Sequence, residues 1–333
     1  MSFEENEISI KSMGGTERMK RGIASRLDSK LIEPFQVICS RIRKIEEDKI
    51  RIYWIHDLPE DPELEHLKNQ TSRDRFHHTV FCGQWQYYRF QHMLDYPYNG
   101  KSSVIETAIE PFAYKPKNFD DGKIRMIYTS TPQRGLELLI PVFEEMAKTN
   151  PNIHLDVFSS FQIYGWPEAD KQFEPFYDRV RNHPQMTYHG FAPNETVKEY
   201  IANAHIFAYP SIWVECNSQS LIEAMSGGLF CVHPNFGGLI DTSGGMTYGY
   251  QGSADINEHA NIFYRTLSNA VDIVKLDSTQ NYLRLVKAYA DSRFNWDRIT
   301  TQWQSLMENL TTQYPTVESR KVPSKSFIYK TTT

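Results

Sequence analysis

From Lys123 onward the sequence keeps switching between two hydrophobic rhythms. Short apolar runs, KIRMIYTS (123–130), IHLDVFSS (153–160), MTYHGF (186–191), IFAYPS (206–211) and LFCVHP (229–234), have the length and the β-branched or aromatic content of strands. Between them, RGLELLIPVFEEMAK (134–148), a segment near 168–182 and NETVKEYIANA (194–204) repeat apolar residues at helical spacing. Asn194 is a plausible N-cap for the last of these. Strands joined by helical crossovers of this length pair in parallel, and helices then cover the sheet. The alternation predicts an α/β fold with parallel sheets.

The first third shows the same rhythm. GGTERMKRGIASRL (14–27) opens a helix from a glycine turn. FQVICSRI (35–42), KIRIYWIHD (49–57), HHTVFCG (77–83) and SSVIETAIEP (102–111) read as strands, and QWQYYRFQHML (84–94) as a helix. FAYKPKNFDDG (112–122) is polar, carries Pro116 and Gly122, and reads as a linker. Two amphipathic segments (near 256–275 and 278–293) and NWDRITTQWQSLMENL (295–310) follow. At 333 residues the chain is too long for one ordinary core. The expected division is a short first domain (1–118), a second domain (119–294), a closing helix (295–312) and a polar tail (313–333). Each domain is expected to be a small doubly wound sheet.

Charge and composition exclude several partners. A net charge of −5 argues against a nucleic-acid protein, which usually carries a basic excess. No apolar run approaches the ~18–20 residues of a membrane span. MSFEENEISIKSMGG is acidic and has no apolar signal core, so a cytoplasmic protein is expected, with peripheral membrane contact left open. The cysteines Cys39, Cys82, Cys216 and Cys231 have no metal-ligand spacing and read as free thiols; no metal site is expected.

The chemistry points to WVECNSQSLIEAMSGG (213–228). Asn217, Ser218 and Ser220 suit a helix start, Leu221, Ala224 and Met225 give its apolar stripe, and Gly227 and Gly228 end it. Helix N-termini draw anions. One glutamate there would merely complement the helix dipole, but Glu215 and Glu223 together exceed that role. A phosphate at the helix start would leave Glu223 for the vicinal hydroxyls of a ribose and Glu215 for a group beyond the phosphates. TSTPQRG (129–135) offers a Ser/Thr-rich turn with Arg134 at a helix mouth; taken alone it reads more readily as a capping turn. PNFGGLIDTSGG (234–245) adds a glycine turn.

These segments resemble the C-terminal domain of the retaining GT-B glycosyltransferases of family 4. Pro210, Ser211, Glu215, Glu223, Ala224, Met225, Gly228, Gly237 and Gly238 match that family's E-x7-E block and its flanks. YHGFAPNETVKEYIANAHIF resembles the preceding block, SMGGTERM (12–19) the first glycine loop of the N-terminal domain, TSTPQRGLELLI the donor-diphosphate turn, and NWDRITTQW the closing helix. Ser130 stands where the family often has an arginine, Arg134 where it usually has a lysine, and Asp241 where it has a glutamate.

The resemblance implies two Rossmann-like domains facing across a cleft, with a closing helix returning to the first. It implies transfer of a sugar from a nucleoside diphosphate sugar, UDP- or GDP-linked, to a glycan, lipid or other hydroxyl acceptor, with retained configuration and without a dedicated metal or cofactor. Glu215, Arg134 and His56 are then the expected catalytic residues. Gly14, Gly15, Ser130, Phe191, Ser218, Gln219, Ser220, Leu221 and Glu223 would contact the donor. Two other readings stand beside it: a sugar-nucleotide 2-epimerase-like enzyme and a degenerate nucleotide-sugar binding protein. The sequence leaves the oligomeric state open.

Overall fold

The computed structural model describes residues 13–39, 41–42, 44–97 and 99–321. The chain divides into two compact units, Met1–Ala108 with Trp296–Thr333, and Ile109–Asn295. The strand expected before Gly14 lies outside the described residues.

The first unit opens with α1 (Gly15–Arg26) and the short α2 (Ser29–Ile32). Strands β1 (Phe35–Cys39) and β2 (Ile50–Ile55) follow, then α3 (Gln70–Arg73), β3 (His78–Phe81), α4 (Gln84–Leu94) and β4 (Ser102–Val104). The four strands pair in parallel in the order β1-β2-β3-β4. Among the described residues this sheet never reverses its strand order, unlike the doubly wound sheet expected. SSVIETAIEP supplies only three strand residues, although Ile105, Ala108 and Ile109 are buried beyond them.

The second unit contains β5 (Ile124–Thr129), α5 (Leu136–Ala147), β6 (Ile153–Phe158), α6 (Glu174–Asn182), β7 (Met186–Tyr188), α7 (Asn194–Asn203), β8 (Ile206–Ala208), α8 (Gln219–Ser226) and β9 (Phe230–Pro234). It ends with α9 (Leu239–Ser243), β10 (Tyr248–Tyr250), α10 (Ile256–Ile273) and α11 (Asp277–Arg293). Its six parallel strands run in the order β10-β9-β8-β5-β6-β7. The chain therefore builds outward from β5 through β6 and β7, then returns to build β8, β9 and β10 on the other side. The switch point lies between β5 and β8, and ligands bind at such points in open α/β sheets. Pro193, not Asn194, occupies the N-cap of α7, and no side chain caps it.

The chain then returns to the first unit as α12 (Trp296–Gln313) and α13 (Val317–Arg320). Ile299, Trp303, Met307 and Leu310 of α12 recur at helical spacing and are buried in that unit's core. The Trp303 ring meets Trp54 of β2 edge-on, with centroids 4.7 Å apart. Gly22 of α1 makes room for Trp296, since a Cβ there would sit 2.0 Å from the indole.

The segment expected as a linker, 112–122, is an integral strap of the second unit. The Phe112 N–H donates to Ser226 Oγ at 3.0 Å, and the Phe119 ring stacks on His205 at 4.3 Å. Its polarity has a structural use. Lys117 Nζ donates to the carbonyls of Ile201 and Ala202 at the end of α7, where unsatisfied carbonyls and the helix dipole favour a cation. Lys117 thus caps a helix end, while Lys115, Asn118, Asp120 and Asp121 of the same strap are exposed to solvent.

Candidate functional site

Three segments of the second unit converge at the strand ends flanking the switch point. The first is the turn after β5, where Thr129 and Ser130 lead into a single turn of 3-10 helix, Pro132–Arg134. The second is the loop after β8, from Tyr209 to Ser218. The third is the glycine turn after β9 that opens α9.

Glycines set how closely these segments approach. Gly135 has φ +111°, and a Cβ there would lie 2.2 Å from the Pro210 carbonyl. Gly237 has φ +58°, and a Cβ there would meet the Glu215 backbone at 2.9 Å. A Cβ on Gly238 would lie 2.2 Å from the Cys216 carbonyl; its N–H donates to the Glu215 carbonyl at 2.7 Å. The glycine turn read from the sequence therefore serves the chain itself: it lets the backbone press against the Glu215 loop.

The loop delivers Glu215 into a buried pair with Arg134. Arg134 Nη1 donates to Glu215 Oε1, and Arg134 Nε donates to Thr131 Oγ1 at 3.2 Å. The Glu215 side chain is only 6% exposed and that of Arg134 21%. Burial disfavours the guanidinium's charge, but the Glu215 carboxylate outweighs it and holds Arg134 protonated well above the ordinary arginine range. The Tyr209 hydroxyl donates to the same carboxylate oxygen. Burial and the neighbouring Glu215 charge push this phenol up, so it stays a donor. Trp213 stands half-exposed over the pair, with the Arg134 guanidinium 6.0 Å from its ring.

The sequence placed Arg134 and Glu215 at separate parts of a ligand, and the fold joins them directly. Tyr209 was missed, because a tyrosine in IFAYPS looks like any strand-core aromatic. The one available signal was its echo in MIYTS: Tyr128 stands one residue before the end of β5 and Tyr209 one residue after the end of β8, each ahead of a short polar turn.

At the start of α8, Ser218 is the N-cap, and its hydroxyl accepts from the Leu221 N–H at 3.4 Å. The Ser220 hydroxyl donates to the Thr129 carbonyl at 2.7 Å, tying the helix start to the end of β5. Thr242 Oγ1 accepts from the Ser218 N–H at 3.4 Å and donates to the Gly238 carbonyl at 2.8 Å. Gln219 is the first helical residue. The Leu221 side chain is buried in the core, so only its backbone faces the helix start. Glu223 is buried one turn further on. Phe191 is 37% exposed in the loop between β7 and α7.

The remaining candidates belong to the first unit. Gly14 is the N-cap of α1 and Gly15 its first residue. His56 follows β2; its ring packs on Trp54 at 4.5 Å, and its Nδ1 lies 3.3 Å from Cys82 Sγ. Burial pushes its pKa down to about 3, so the imidazole is neutral. Among the described residues no cluster of histidine, cysteine and carboxylate side chains could hold a metal ion. Among the same residues no helix is long and apolar enough to cross a membrane.

Residues 112–244 match the family described as glycosyl transferases group 1. That match contains the strap, the Arg134 turn, the Glu215 loop, α8 and the glycine turn. No curated protein matches the chain. Among solved structures, a glycosyltransferase from Rickettsia africae is similar at TM-score 0.65 and 10% identity, over 91% of this chain and 84% of that one. Sucrose-phosphate synthase from Thermosynechococcus elongatus is similar at TM-score 0.64 and 14% identity, over 89% and 79%. HepE from Anabaena, solved in complex with UDP and glucose, is similar at TM-score 0.59 and 19% identity, over 79% and 72%. The fold is α/β with two parallel sheets, as in these GT-B glycosyltransferases.

Proposed function

We propose that this protein is a retaining glycosyltransferase of the family 4 type, moving a sugar from a nucleoside diphosphate sugar to a hydroxyl of a glycan or lipid. The observation that carries the reading is the Arg134–Glu215–Tyr209 cluster beside the start of α8, at the switch point of a parallel sheet. Similarity to HepE, solved with UDP and glucose, favours a UDP-linked donor.

In this reading the diphosphate lies at the start of α8, where the helix dipole and the Arg134 charge face it. A guanidinium carries five N–H groups. Arg134 commits one to Glu215 and one to Thr131, which leaves others for a phosphate oxygen. Glu223 accepts from the ribose hydroxyls, and the backbone near Phe191 and Ala192 meets the base. Glu215 accepts from a hydroxyl of the transferred sugar.

The bond from the anomeric carbon to the diphosphate oxygen breaks, and the leaving group keeps the electron pair. The acceptor oxygen bonds to that carbon on the same face and passes its proton to the departing phosphate oxygen. Arg134 stabilises the charge that develops there.

Calorimetry with UDP alone tests the assignment. Glu223→Gln should weaken UDP by about 1.5–3 kcal/mol, the scale of a hydrogen bond to a charged group. Glu215→Gln should spare UDP while lowering turnover of the sugar donor. Equal losses of UDP affinity would show that both carboxylates serve one part of the ligand and would refute the proposed arrangement.

A further inference from the structure

We propose that the second unit carries a second ligand site, for an uncharged molecule with an alkyl or aromatic body and a hydroxyl group, at the end of its sheet opposite Arg134 and Glu215. A cavity of about 360 Å³ opens between the starts of β9 and β10 and the corner that joins α10 to α11. All six strands are parallel, so the starts of β9 and β10 lie opposite the strand ends that hold the Arg134 turn and the Glu215 loop.

The floor is apolar: Leu229, Phe230, Leu283 and Val286 are all buried. Tyr248 and Tyr282 form a rim, 40% and 42% exposed. The rim is held in place from within the unit. The Tyr282 hydroxyl donates to the Met246 carbonyl at 2.9 Å, and Tyr248 meets Phe230 edge-on at 5.3 Å. Ser278 and Thr279 add hydroxyls that can bond a ligand hydroxyl.

No lining side chain is charged, so nothing there would offset the cost of burying an ion. Concave, mainly apolar sites with a few hydroxyl groups are the usual form of small-molecule sites. At ~30 Å³ per water-sized atom, the space admits roughly a dozen non-hydrogen atoms. The Cys231 thiol also lines the cavity, and burial pushes its pKa up, so it is a neutral wall and not a nucleophile.

The test uses the full chain with 1-naphthol, a neutral fluorescent probe with an aromatic body, one hydroxyl and a size within that space. One saturable site is expected, displaced by decanol. The anionic analogue 1-naphthoate should bind at least tenfold more weakly. Thr279→Trp and Ser278→Phe fill the opening from the helix surface and should each weaken the neutral probe at least tenfold at an unchanged thermal midpoint. Should either variant fold poorly, hydrogen exchange on the wild type decides: decanol should protect residues 229–231 and 278–283. Non-saturable binding, equal affinity for the anion, full binding by a folded variant, or protection elsewhere would each overturn the proposal.

Discussion

At the residue scale, everything turns on one carboxylate oxygen. Glu215 Oε1 accepts from both Arg134 and Tyr209, so this acid is held before any substrate arrives. Tyr209→Phe keeps the buried ring and removes only the hydroxyl. It should destabilise the fold by about 1.5–3 kcal/mol in urea unfolding, the range for a hydrogen bond to a charged partner. Turnover should fall while UDP affinity, measured by calorimetry, stays put. Arg134→Ala should cost more, about 10²–10³-fold in turnover, because it removes a preorganised charge and strands a buried carboxylate. Arg134→Lys should recover part of the rate but not the simultaneous grip on Thr131 and Glu215, since an ammonium lacks the planar fork. Sequence reasoning named Arg134 and Glu215 from their neighbours in the chain. Their contact was invisible to it, because 81 positions separate them and only the pairing of β5 with β8 brings them together.

At the element scale, periodicity located the long helices well. Apolar residues every third or fourth position mark α5, α8, α10, α11 and α12, and each buries that stripe, whereas α7 fully buries Ile201 alone. Where packing and propensity part company, the reading slipped. β10 is an edge strand whose Tyr248 and Gly249 are exposed, so it lacks the apolar run that betrays a buried strand. In the strap 112–122, Lys115 and Lys117 both reach the end of α7, so a polar segment that reads as a linker is tied to the second unit. The start of α8 offers a direct test. Ser218→Ala removes the N-cap and should cost about 0.5–2 kcal/mol in urea unfolding. If the diphosphate lies against this helix start, saturating UDP should return part of the lost stability by binding the folded state.

At the scale of the whole molecule, buried histidines set the response to acid. His77 Nδ1 accepts from the Arg51 N–H at 2.8 Å, and His205 Nδ1 accepts from the Arg125 N–H at 2.9 Å. Each splints the opening of a neighbouring strand in its own unit. His233 donates from Nδ1 to the Pro234 carbonyl at 3.0 Å and accepts at Nε2 from the Thr247 hydroxyl at 2.6 Å. Burial is the main cause holding all three near a pKa of about 4. The unfolded chain protonates them near 6.5, so between those values it binds more protons than the folded chain. Stability from these groups is complete above about pH 6.5 and is lost as pH falls toward 4. Each contributes a slope of up to about 1.4 kcal/mol per pH unit in that window. Urea midpoints should therefore drop between pH 7 and pH 5. His205→Gln, which keeps an acceptor for the Arg125 N–H, should flatten the slope by its share; an unchanged slope would assign the acid response to other groups.

The close approach of Gly135, Gly237 and Gly238 to their neighbours has a consequence for how this sequence tolerates change. In a saturation library sorted for folded protein, these positions should return glycine almost alone. At Gly135 and Gly237 the backbone is left-handed and a Cβ meets main chain; at Gly238 the Cys216 carbonyl alone forbids it. Gly100 has open space around its absent Cβ and no left-handed φ, so the same library should fill it freely. The contrast would trace the walls around Glu215 from survivors alone, with no ligand and no assay of its chemistry.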